Sequence, residues 1–462
     1  MKIKTTYRAF FVALSLLSAI IHGQAEASKK PNILLIISDD LRDRLGCYGA
    51  SEVFTPNIDA LAKQGIRFEN AYDQYSVCDP SRSSFLTGLR PEQTGVWDNS
   101  TCFRTHLPDA VTLPHSLRNG GYYTASFGKV FHVGPGAKGV DRDVWVDAKN
   151  AWNQVEDGGN SKEKPKILEG RNMTNGKLKW CEWGASEGSG ENDNDYINAT
   201  AAIEAMKKSE GKRWFIAVGF HKPHDPFICP KKYFDLYPLE SLKLYKDPVD
   251  MTPTLPIALP GGATEEAFKA FSDQDRREFM RAYYACTSYM DAQVGRVLDG
   301  LKESGSDENT IIIFMGDNGY HLGEREWWNK VTLFERCARI PFIVAGAGVK
   351  TDQVCKSPIE LVDIYPTLME RCGVEGPQNL AGSSFSPLLV DPSGPGKGYA
   401  MTMVTRGKGK GVIIGRSVRT DRWRYTEWDG GRQGIELYDE SKDPEETHDE
   451  SKNPEYKKII ES

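Results

Sequence analysis

The chain has 462 residues and a formal net charge of −6, and 39% of its residues are hydrophobic. This length and composition exclude a disordered chain, while the acidic balance argues against a general nucleic-acid binder. The nine cysteines are too few for a small disulfide scaffold. Their odd number leaves at least one thiol without a partner if the protein is exported.

The N-terminal segment predicts export. A basic start is followed by an apolar run at residues 10–21, which is too short to span a bilayer comfortably. A small-x-small pattern at residues 25–27 predicts cleavage after Ala27. We therefore expect a signal peptide at residues 1–27 and a secreted or periplasmic mature protein without a membrane anchor. An uncleaved N-terminal anchor is the alternative.

Apolar strand-like segments alternate with helical patterns along the chain. Strands are predicted at residues 32–38, 122–127, 213–220, 310–315 and 340–345, and helices at residues 57–65 and 282–304. Strands separated by helices favour a mixed or parallel sheet that helices cover on both faces. The polar residues 147–195 are expected to form a surface excursion rather than core.

The composition changes after Cys372. A segment rich in Gly, Pro and Ser precedes short alternating strands predicted at residues 411–417, 423–428 and 435–438. This pattern is typical of a small antiparallel sheet. We therefore divide the mature chain into a catalytic α/β domain, residues 28–392, and a C-terminal antiparallel β subdomain, residues 393–462.

Polar clusters follow four of the predicted strands. They begin at Asp39, Gly128, His221 and Gly316. Any one of them alone is most simply an ordinary polar loop. In open α/β sheets, however, ligands bind outside the carboxyl ends of the strands. Four clusters in this position therefore predict one shared site.

The polar residues of these clusters fall into two chemical sets. One set offers oxygen ligands and comprises Asp39, Asp40, Asp317 and Asn318. Such ligands favour Ca²⁺ or Mg²⁺ over zinc. The other set carries positive charge or protons and comprises Lys129, His132, His224 and Lys330. Cations beside a divalent metal imply that an anion binds between them, so the pocket should hold an oxyanion such as sulfate or phosphate.

A further segment, CDPSRSSFLTG at residues 78–88, places a cysteine at a helix start. Pro80 is typical of a first helical turn, so a helix should begin close to Cys78. The positive end of that helix would face Cys78 and any nearby anion. The residue pattern leaves three interpretations open: a reactive thiolate, a cysteine modified into another group, and a buried or disulfide-bonded cysteine.

The same segment resembles the signature of the type I sulfatases, in which the cysteine is oxidised to Cα-formylglycine. The resemblance continues at residues 128–132, 221–224 and 316–319. Within the family, these segments are most similar to iduronate-2-sulfatase and its bacterial relatives. The resemblance implies an alkaline-phosphatase-like α/β fold, one bound Ca²⁺ and a formylglycine-generating maturation enzyme as a partner.

The resemblance also implies a role for each site residue. It places Cys78, converted to formylglycine, beside the metal ligands Asp39, Asp40, Asp317 and Asn318. It assigns the orientation of the formylglycine to Arg82 and the contacts with sulfate to Lys129, His224 and Lys330. His224 or Lys330 would protonate the leaving sugar oxygen, and His132 would take a proton when sulfate is expelled.

The sequence thus predicts an exported sulfatase that acts on a sulfated oligosaccharide or polysaccharide, with a terminal uronate 2-O-sulfate as the first candidate. The alternatives are a phosphate or phosphonate ester hydrolase of the same superfamily and a carbohydrate-binding pseudo-enzyme. Indole faces stack on sugar rings while polar groups fix hydroxyls. The candidate sugar contacts are Trp97, Asp98, Asn99 and Trp327, for which ordinary packing is the alternative interpretation.

Overall fold

The computed structural model of the protein describes residues 30–133, 139–156, 164–407 and 409–461. The predicted signal peptide at residues 1–27 lies outside the described residues. Among the helices within these ranges, none has both the length and the apolar character needed to cross a bilayer.

The strands of the described chain fall into three sheets. Their bounds are β1 (Asn32–Asp39), β2 (Gly65–Tyr72), β3 (Tyr123–Gly128), β4 (Gln154–Glu156), β5 (Ile167–Asn172), β6 (Glu182–Ser186), β7 (Trp214–Pro223), β8 (Phe227–Pro230), β9 (Thr310–Gly316), β10 (Arg339–Gly346), β11 (Gln353–Cys355), β12 (Ile359–Glu360), β13 (Ala400–Arg406), β14 (Ile413–Arg419), β15 (Trp423–Trp428) and β16 (Ile435–Asp439).

The described chain contains fourteen α-helices, several of which pack on the largest sheet. They are α1 (Pro56–Lys63), α2 (Cys78–Thr87), α3 (Pro91–Thr94), α4 (Phe103–His106), α5 (Leu113–Asn119), α6 (Arg142–Trp145), α7 (Ala148–Ala151), α8 (Asn194–Lys208), α9 (Lys231–Phe234), α10 (Gly262–Lys269), α11 (Asp273–Glu303), α12 (Glu335–Ala338), α13 (Ile364–Cys372) and α14 (Lys457–Ile460). Short 3-10 turns connect several of them.

The largest sheet is mixed and has β1 near its centre. Its order is β11-β2-β10-β9-β1-β7-β3-β4, with β12 paired to β2 outside this path. Strand β1 runs parallel to both β7 and β9, whereas β10 runs antiparallel to β9 and β2. The parallel strands therefore end at one edge of the sheet, and the polar clusters that follow them meet there.

Each face of this sheet has its own hydrophobic core. Ile33, Leu35 and Ile37 of β1 belong to one core, and Leu34 and Ile36 belong to the other. All five side chains are fully buried. This alternation follows from the two-residue period of a strand, and it explains why β1 reads as a continuous apolar run. The predicted mixed sheet with helices on both faces is confirmed.

The C-terminal part contains the expected small sheet. Strands β13 to β16 are antiparallel in sequential order. Trp428 and Val404 of this sheet pack with Leu333 and Phe334 of the preceding segment. The predicted α/β class with a small antiparallel subdomain is therefore confirmed, while the boundary at residue 393 stays a prediction.

The polar segment at residues 147–195 differs from the expectation. Strands β5 and β6 join β8 in a three-stranded sheet, and Met173 and Cys181 are buried in a core cluster with Phe227. The interpretation of this segment as surface alone was wrong, because short strands carry buried side chains among many polar ones. Helix α11 also begins at Asp273, earlier than the helix predicted from residue 282.

Candidate active site

The carboxylates that follow β1 and β9 form a buried cluster. Asp39, Asp40, Asp317 and Asn318 all have 0% exposure. The backbone N–H of Asp40 donates to Oδ1 of Asp317 at 3.0 Å, and Nδ2 of Asn318 donates to Oδ1 of Asp40 at 2.8 Å. Asp40 has a φ of 58°, a left-handed conformation that aspartate tolerates better than most residues. The four predicted metal ligands thus come together.

Several oxygens of this cluster have no hydrogen-bond donor among the described residues. They are Oδ1 of Asp39, Oδ2 of Asp40 and Oδ1 of Asn318. Leaving such buried acceptors unsatisfied is costly, so their arrangement fits a cation that supplies the missing positive charge. Ligand atoms of Asp39, Asp40, Cys78 and His224 also lie within 4.8 Å of one another. The largely oxygen donor set suits a hard cation.

Cys78 is the first residue of helix α2 and has 0% exposure. Its Sγ lies 2.9 Å from Nζ of Lys330 and 3.8 Å from Oδ1 of Asp40. Burial raises the pKa of the Cys78 thiol, and the Asp39 carboxylate adds to this effect. Lys129 and Lys330 oppose this rise, so Cys78 lies among groups of both charges.

Arg82 connects helix α2 to two strand ends. Its Nε donates to Oδ2 of Asp317 at 2.7 Å, and its Nη1 donates to the carbonyl of Val130 at 3.1 Å. Its Nη2 lies 3.6 Å from Oδ1 of Asp39. Burial raises the pKa of Asp317 to about 6, although Arg82 opposes this shift. Arg82 is therefore placed to fix the position of Cys78 relative to the carboxylates.

Two lysines point their ammonium groups into the carboxylate cluster. Lys129 donates to Asp39, and Lys330 donates to Asp40. Burial lowers the pKa of both lysines, but the carboxylates raise it above the ordinary value. Burial likewise raises the pKa of Asp39, but Lys129 and neighbouring cations hold it well below its usual range. Both lysines and Asp39 are therefore charged at neutral pH.

Three histidines surround the same site. Nε2 of His224 lies 3.7 Å from Oδ2 of Asp40, and its Nδ1 lies 2.7 Å from the carbonyl of Asp225. Burial lowers the pKa of His132 to about 2, and Lys129 adds to this. Both ring nitrogens of His132 lack a hydrogen-bond partner among the described residues, so the neutral ring has a free nitrogen. His221 is 41% exposed, with Nδ1 3.9 Å from Oδ2 of Asp39.

The candidate sugar contacts occupy different environments. Trp97 is half-buried, Asp98 is exposed, and Oδ1 of Asn99 accepts a hydrogen bond from the backbone of Asp79 at 3.0 Å. Trp327 instead has 2% exposure in an aromatic core, and its Nε1 donates to the carbonyl of Lys330 at 2.9 Å. Its ring has no free face for a sugar, so the structure gives Trp327 a packing role that supports the lysine.

Residues that the sequence did not single out hold the site in place. The hydroxyl of Tyr283 donates to the carbonyl of Asp40 at 2.6 Å. The Asp195 carboxylate accepts from the backbone N–H groups of His221, at 2.7 Å, and Lys222, at 2.9 Å. Both supporting residues belong to helices remote in sequence from the residues they hold, and no local motif marks them.

Comparison with known protein families decides the classification. The sequence profile named Sulfatase matches residues 31–374. The chain belongs to the sulfatase family. A second profile, described as N-sulphoglucosamine sulphohydrolase, C-terminal, matches residues 323–462 of this sulfatase.

Individual proteins agree with this classification. A sulfatase of Formosa agariphila is 32% identical over 450 residues, which cover 94% of this chain and 85% of the relative. Human iduronate 2-sulfatase is 32% identical over 482 residues, which cover 86% of this chain and 85% of the human protein. Among solved structures, the phosphonate monoester hydrolase of Silicibacter pomeroyi shares the fold, with a TM-score of 0.74, 21% identity and 93% coverage of both chains.

These matches confirm the predicted family, the alkaline-phosphatase-like fold and the enzyme class. The sulfatase is a sulfuric ester hydrolase. Sulfatases use a metal ion, and the buried oxygen cluster around Asp39 and Asp40 is a suitable place for one.

Proposed function

We propose that this sulfatase is an exported enzyme that removes sulfate from a sulfated carbohydrate, with Cys78 converted to formylglycine and Ca²⁺ as the metal. The observation that carries the proposal is the setting of Cys78. Its Sγ, which marks the position of the formylglycine side chain, lies between Lys330 at 2.9 Å and the carboxylate of Asp40 at 3.8 Å. This atom therefore lies next to a lysine that can bind an anion and a carboxylate that can bind a metal ion.

Conversion supplies the nucleophile that the buried thiol does not. Hydrated formylglycine carries two hydroxyl groups on one carbon. One hydroxyl gives its proton to a neighbouring carboxylate, for which we propose Asp317, and attacks sulfur, and the bond from sulfur to the sugar oxygen breaks. His224 or Lys330 gives the leaving sugar oxygen its proton. The sulfate is then bound as an ester to the side-chain carbon that still carries the second hydroxyl. One difficult displacement has thus been divided into two steps.

The second step releases sulfate and restores the aldehyde. The remaining hydroxyl gives its proton to His132, whose ring nitrogens have no partner among the described residues. Its oxygen forms the C=O bond while the bond from carbon to the sulfate oxygen breaks. No external oxidant or reductant is consumed, because the aldehyde returns to its starting state and water rehydrates it.

Fixed positive charges stabilise the sulfate during both steps. Lys129 and Lys330 are held in the charged form, and His224 lies beside them. Such preorganised charge is among the largest contributions to catalysis in dry sites. The Ca²⁺ ligands would be Asp39, Asp40, Asp317 and Asn318, and the bound ion would add positive charge at the sulfate oxygens.

Similarity to human iduronate 2-sulfatase supports a uronate 2-O-sulfate as the substrate group. We place the sugar against Trp97, Asp98 and Asn99, which lie on the segment after helix α3 and retain exposed surface. We also propose that the enzyme acts on a terminal residue, that a maturation enzyme converts Cys78, and that the protein is exported with its signal peptide cleaved after Ala27.

Mass spectrometry of the tryptic peptide that ends at Arg82 tests the nucleophile. Conversion of the thiol to the aldehyde lowers the peptide mass by about 18 Da, as a covalently prepared nucleophile requires. A C78S variant made in the same host provides the matched control. Active enzyme that carries an unmodified thiol would disprove this mechanism.

Metal removal tests the cofactor. Dialysis against EDTA is expected to abolish hydrolysis of an aryl sulfate, and added Ca²⁺ is expected to restore it better than Mg²⁺, because the site offers irregular oxygen ligands. A D40N variant should no longer respond to added Ca²⁺. Full activity after verified metal depletion would contradict the proposal.

A substrate panel tests the reaction. Aryl sulfate, phosphate and phosphonate esters are compared first, followed by defined glycosaminoglycan oligosaccharides that differ in sulfate position. We expect preference for sulfate and release of sulfate from terminal uronate 2-O-sulfate. Preference for a phosphonate or phosphate would favour the alternative hydrolase, and tight glycan binding without turnover would favour the pseudo-enzyme.

A further inference from the structure

Arg406 is a half-buried cation at the end of β13, and no acidic side chain of the described residues pairs with it. Its Nε donates to the carbonyl of Ile257 at 3.0 Å, and its Nη2 donates to the carbonyls of Ala258 and Val331, each at 2.8 Å. Its Nη1 donates to the carbonyl of Thr405 at 3.1 Å. These four bonds leave one N–H of Nη1 available, since a guanidinium has five.

The charge of Arg406 is not compensated by the described protein. Burial lowers the pKa of Arg406 to about 10, and only the weakly acidic groups of Tyr75 and Cys337 oppose the shift. By contrast, Arg82 is paired with Asp317 and Arg424 with Glu335. A partly desolvated guanidinium without a carboxylate is costly, so this position is suited to an anion that a ligand brings.

Hydrogen bonds connect Arg406 and its neighbour Thr405 to residues that lie close in the chain to Lys330 and Cys78. Its carbonyl partner Val331 directly follows Lys330, whose Nζ is 2.9 Å from Sγ of Cys78. The neighbouring Thr405 shares a 2.7 Å hydrogen bond with the hydroxyl of Tyr75, three residues before Cys78. The guanidinium lies over the ring of Trp428 at 4.9 Å, which limits its movement.

One candidate sugar contact belongs to the same wall. Trp97 is half-buried and packs, with Val77, against the cluster that contains Tyr75 and Trp428. A sugar ring against Trp97 with its sulfate at Cys78 would therefore have Arg406 on an adjoining surface. In a uronate 2-sulfate, the carboxylate projects from the ring on the side away from the 2-sulfate, so a separate cation at the pocket wall is needed to recognise it.

We propose that Arg406 binds the carboxylate of the uronate whose 2-sulfate is attacked at position 78. The assignment rests on the proposed substrate class and makes Arg406 a specificity-determining residue. A carboxylate would accept a hydrogen bond from the remaining N–H of the guanidinium and neutralise its charge. The same sugar with a hydroxymethyl group in place of the carboxylate could accept the hydrogen bond but would leave the charge of the guanidinium uncompensated.

The test compares two substrates that differ only at this group: 4-methylumbelliferyl α-L-iduronide 2-sulfate and the corresponding C6-reduced idoside 2-sulfate. We expect R406Q to raise KM for the uronide about 10- to 100-fold, as loss of a charge-assisted hydrogen bond implies, while kcat changes little. KM for the reduced substrate should change much less, because a neutral hydroxyl forms a weaker hydrogen bond with the guanidinium. R406K should recover part of the loss because it retains the charge.

R416Q is the matched control, because Arg416 lies on the adjoining strand β14 and forms only a partly exposed pair with Glu92 at 3.4 Å. It should leave both substrates unaffected. If R406Q raised KM equally for both substrates, or for neither of them, the assignment would be overturned. Failure of the wild type on both sugars, with aryl sulfate still hydrolysed, would instead refute the proposed substrate and the carboxylate role with it.

Discussion

Lys330 has an unusual environment for a lysine. It is only 8% exposed, donates to Asp40 and lies 2.9 Å from Sγ of Cys78. Trp327 holds the backbone of the same residue through its indole N–H. Because the ammonium group is fixed before substrate arrives, its charge can stabilise the sulfate without reorganisation.

Replacing Lys330 by alanine should therefore impair catalysis. We expect kcat/KM for an aryl sulfate to fall by about 10²- to 10³-fold, as for loss of one preorganised charge. The control is K302A, at an exposed position in the last turn of α11. Steady-state kinetics on metal-loaded, formylglycine-containing protein measure the effect, and near wild-type rates for K330A would remove the lysine from the mechanism.

Arg82 combines a site role with a structural one. Its side chain is fully buried and pairs with Asp317 through a 2.7 Å hydrogen bond. The R82A substitution leaves the partner carboxylate buried without its cation, which costs about 3–5 kcal/mol. Urea unfolding should show a loss of that size together with loss of activity. A variant as stable as the wild type would mean that Asp317 has other sufficient partners.

The sequence was sufficient to predict which polar residues come together at the edge of the sheet but not those that support them. Asp39 and Asp317 follow strongly apolar strands, so their position at the sheet edge follows from the pattern. Asp195 and Tyr283 act on backbone groups far along the chain. Only the tertiary fold brings these pairs together. Trp327 was a candidate sugar contact but lies in an aromatic core. The sequence around a tryptophan does not distinguish these two environments.

At the scale of elements, helix α1 depends on a side chain from another helix. Asp291 of α11 accepts hydrogen bonds from Nδ2 of Asn57 at 2.7 Å and from the backbone N–H of Ile58 at 2.8 Å. It thereby supplies the first turn of α1 with the acceptor that its own N-cap residue, Thr55, does not provide.

This contact predicts a pH effect on stability. Burial raises the pKa of Asp291 from 3.8 to about 6, although its hydrogen bonds oppose the shift. The folded state then binds this proton more tightly than the unfolded state does. Asp291 therefore contributes most to the free energy of unfolding below pH 4, and this contribution declines as the pH rises to 6. D291N should lack that decline.

Urea unfolding of both proteins from pH 4 to pH 7 measures this difference. The wild type should lose up to about 3 kcal/mol relative to D291N across the range, since one pKa unit corresponds to about 1.4 kcal/mol. Parallel pH profiles for the two proteins would contradict a raised pKa at this position.

Element prediction succeeded for long hydrophobic runs and for the short alternating strands of the C-terminal sheet, and it missed strands of mixed sequence such as β2. β1, β7 and β9 are buried along nearly their whole length and carry continuous apolar sequence. β2 has the mixed sequence GIRFENAY, and it is a strand because β10 pairs with it antiparallel. Its structure therefore depends on a tertiary partner more than on its own pattern.

At the scale of the whole molecule, buried charges connect the C-terminal sheet to the larger part. Arg424 of β15 pairs with Glu335 of α12, and its Nε lies 2.7 Å from Glu446 and 3.4 Å from Glu440. Glu335 begins the helix that follows the Lys330 segment. The C-terminal sheet therefore contributes to the setting of the active site as well as to its own core.

Removing this cation should destabilise the whole chain. R424M leaves several carboxylates buried without their common partner, and we expect a loss of about 3–5 kcal/mol in unfolding free energy. The matched control is R432M, because Arg432 is a well-exposed cation that pairs with Asp429 at 2.5 Å and its loss should scarcely change stability. Equal stabilities of the two variants in urea would show that the network does not join the two parts.

The complete burial of Cys78 has a consequence for the order of events in biosynthesis. Its side chain has no exposed surface, and Lys330 lies directly against it. A maturation enzyme cannot reach this atom in the folded chain, so the proposed conversion has to precede folding. Protein that folds first around the thiol would stay inactive when the maturation enzyme is added later, and would need to be unfolded to become a substrate for it.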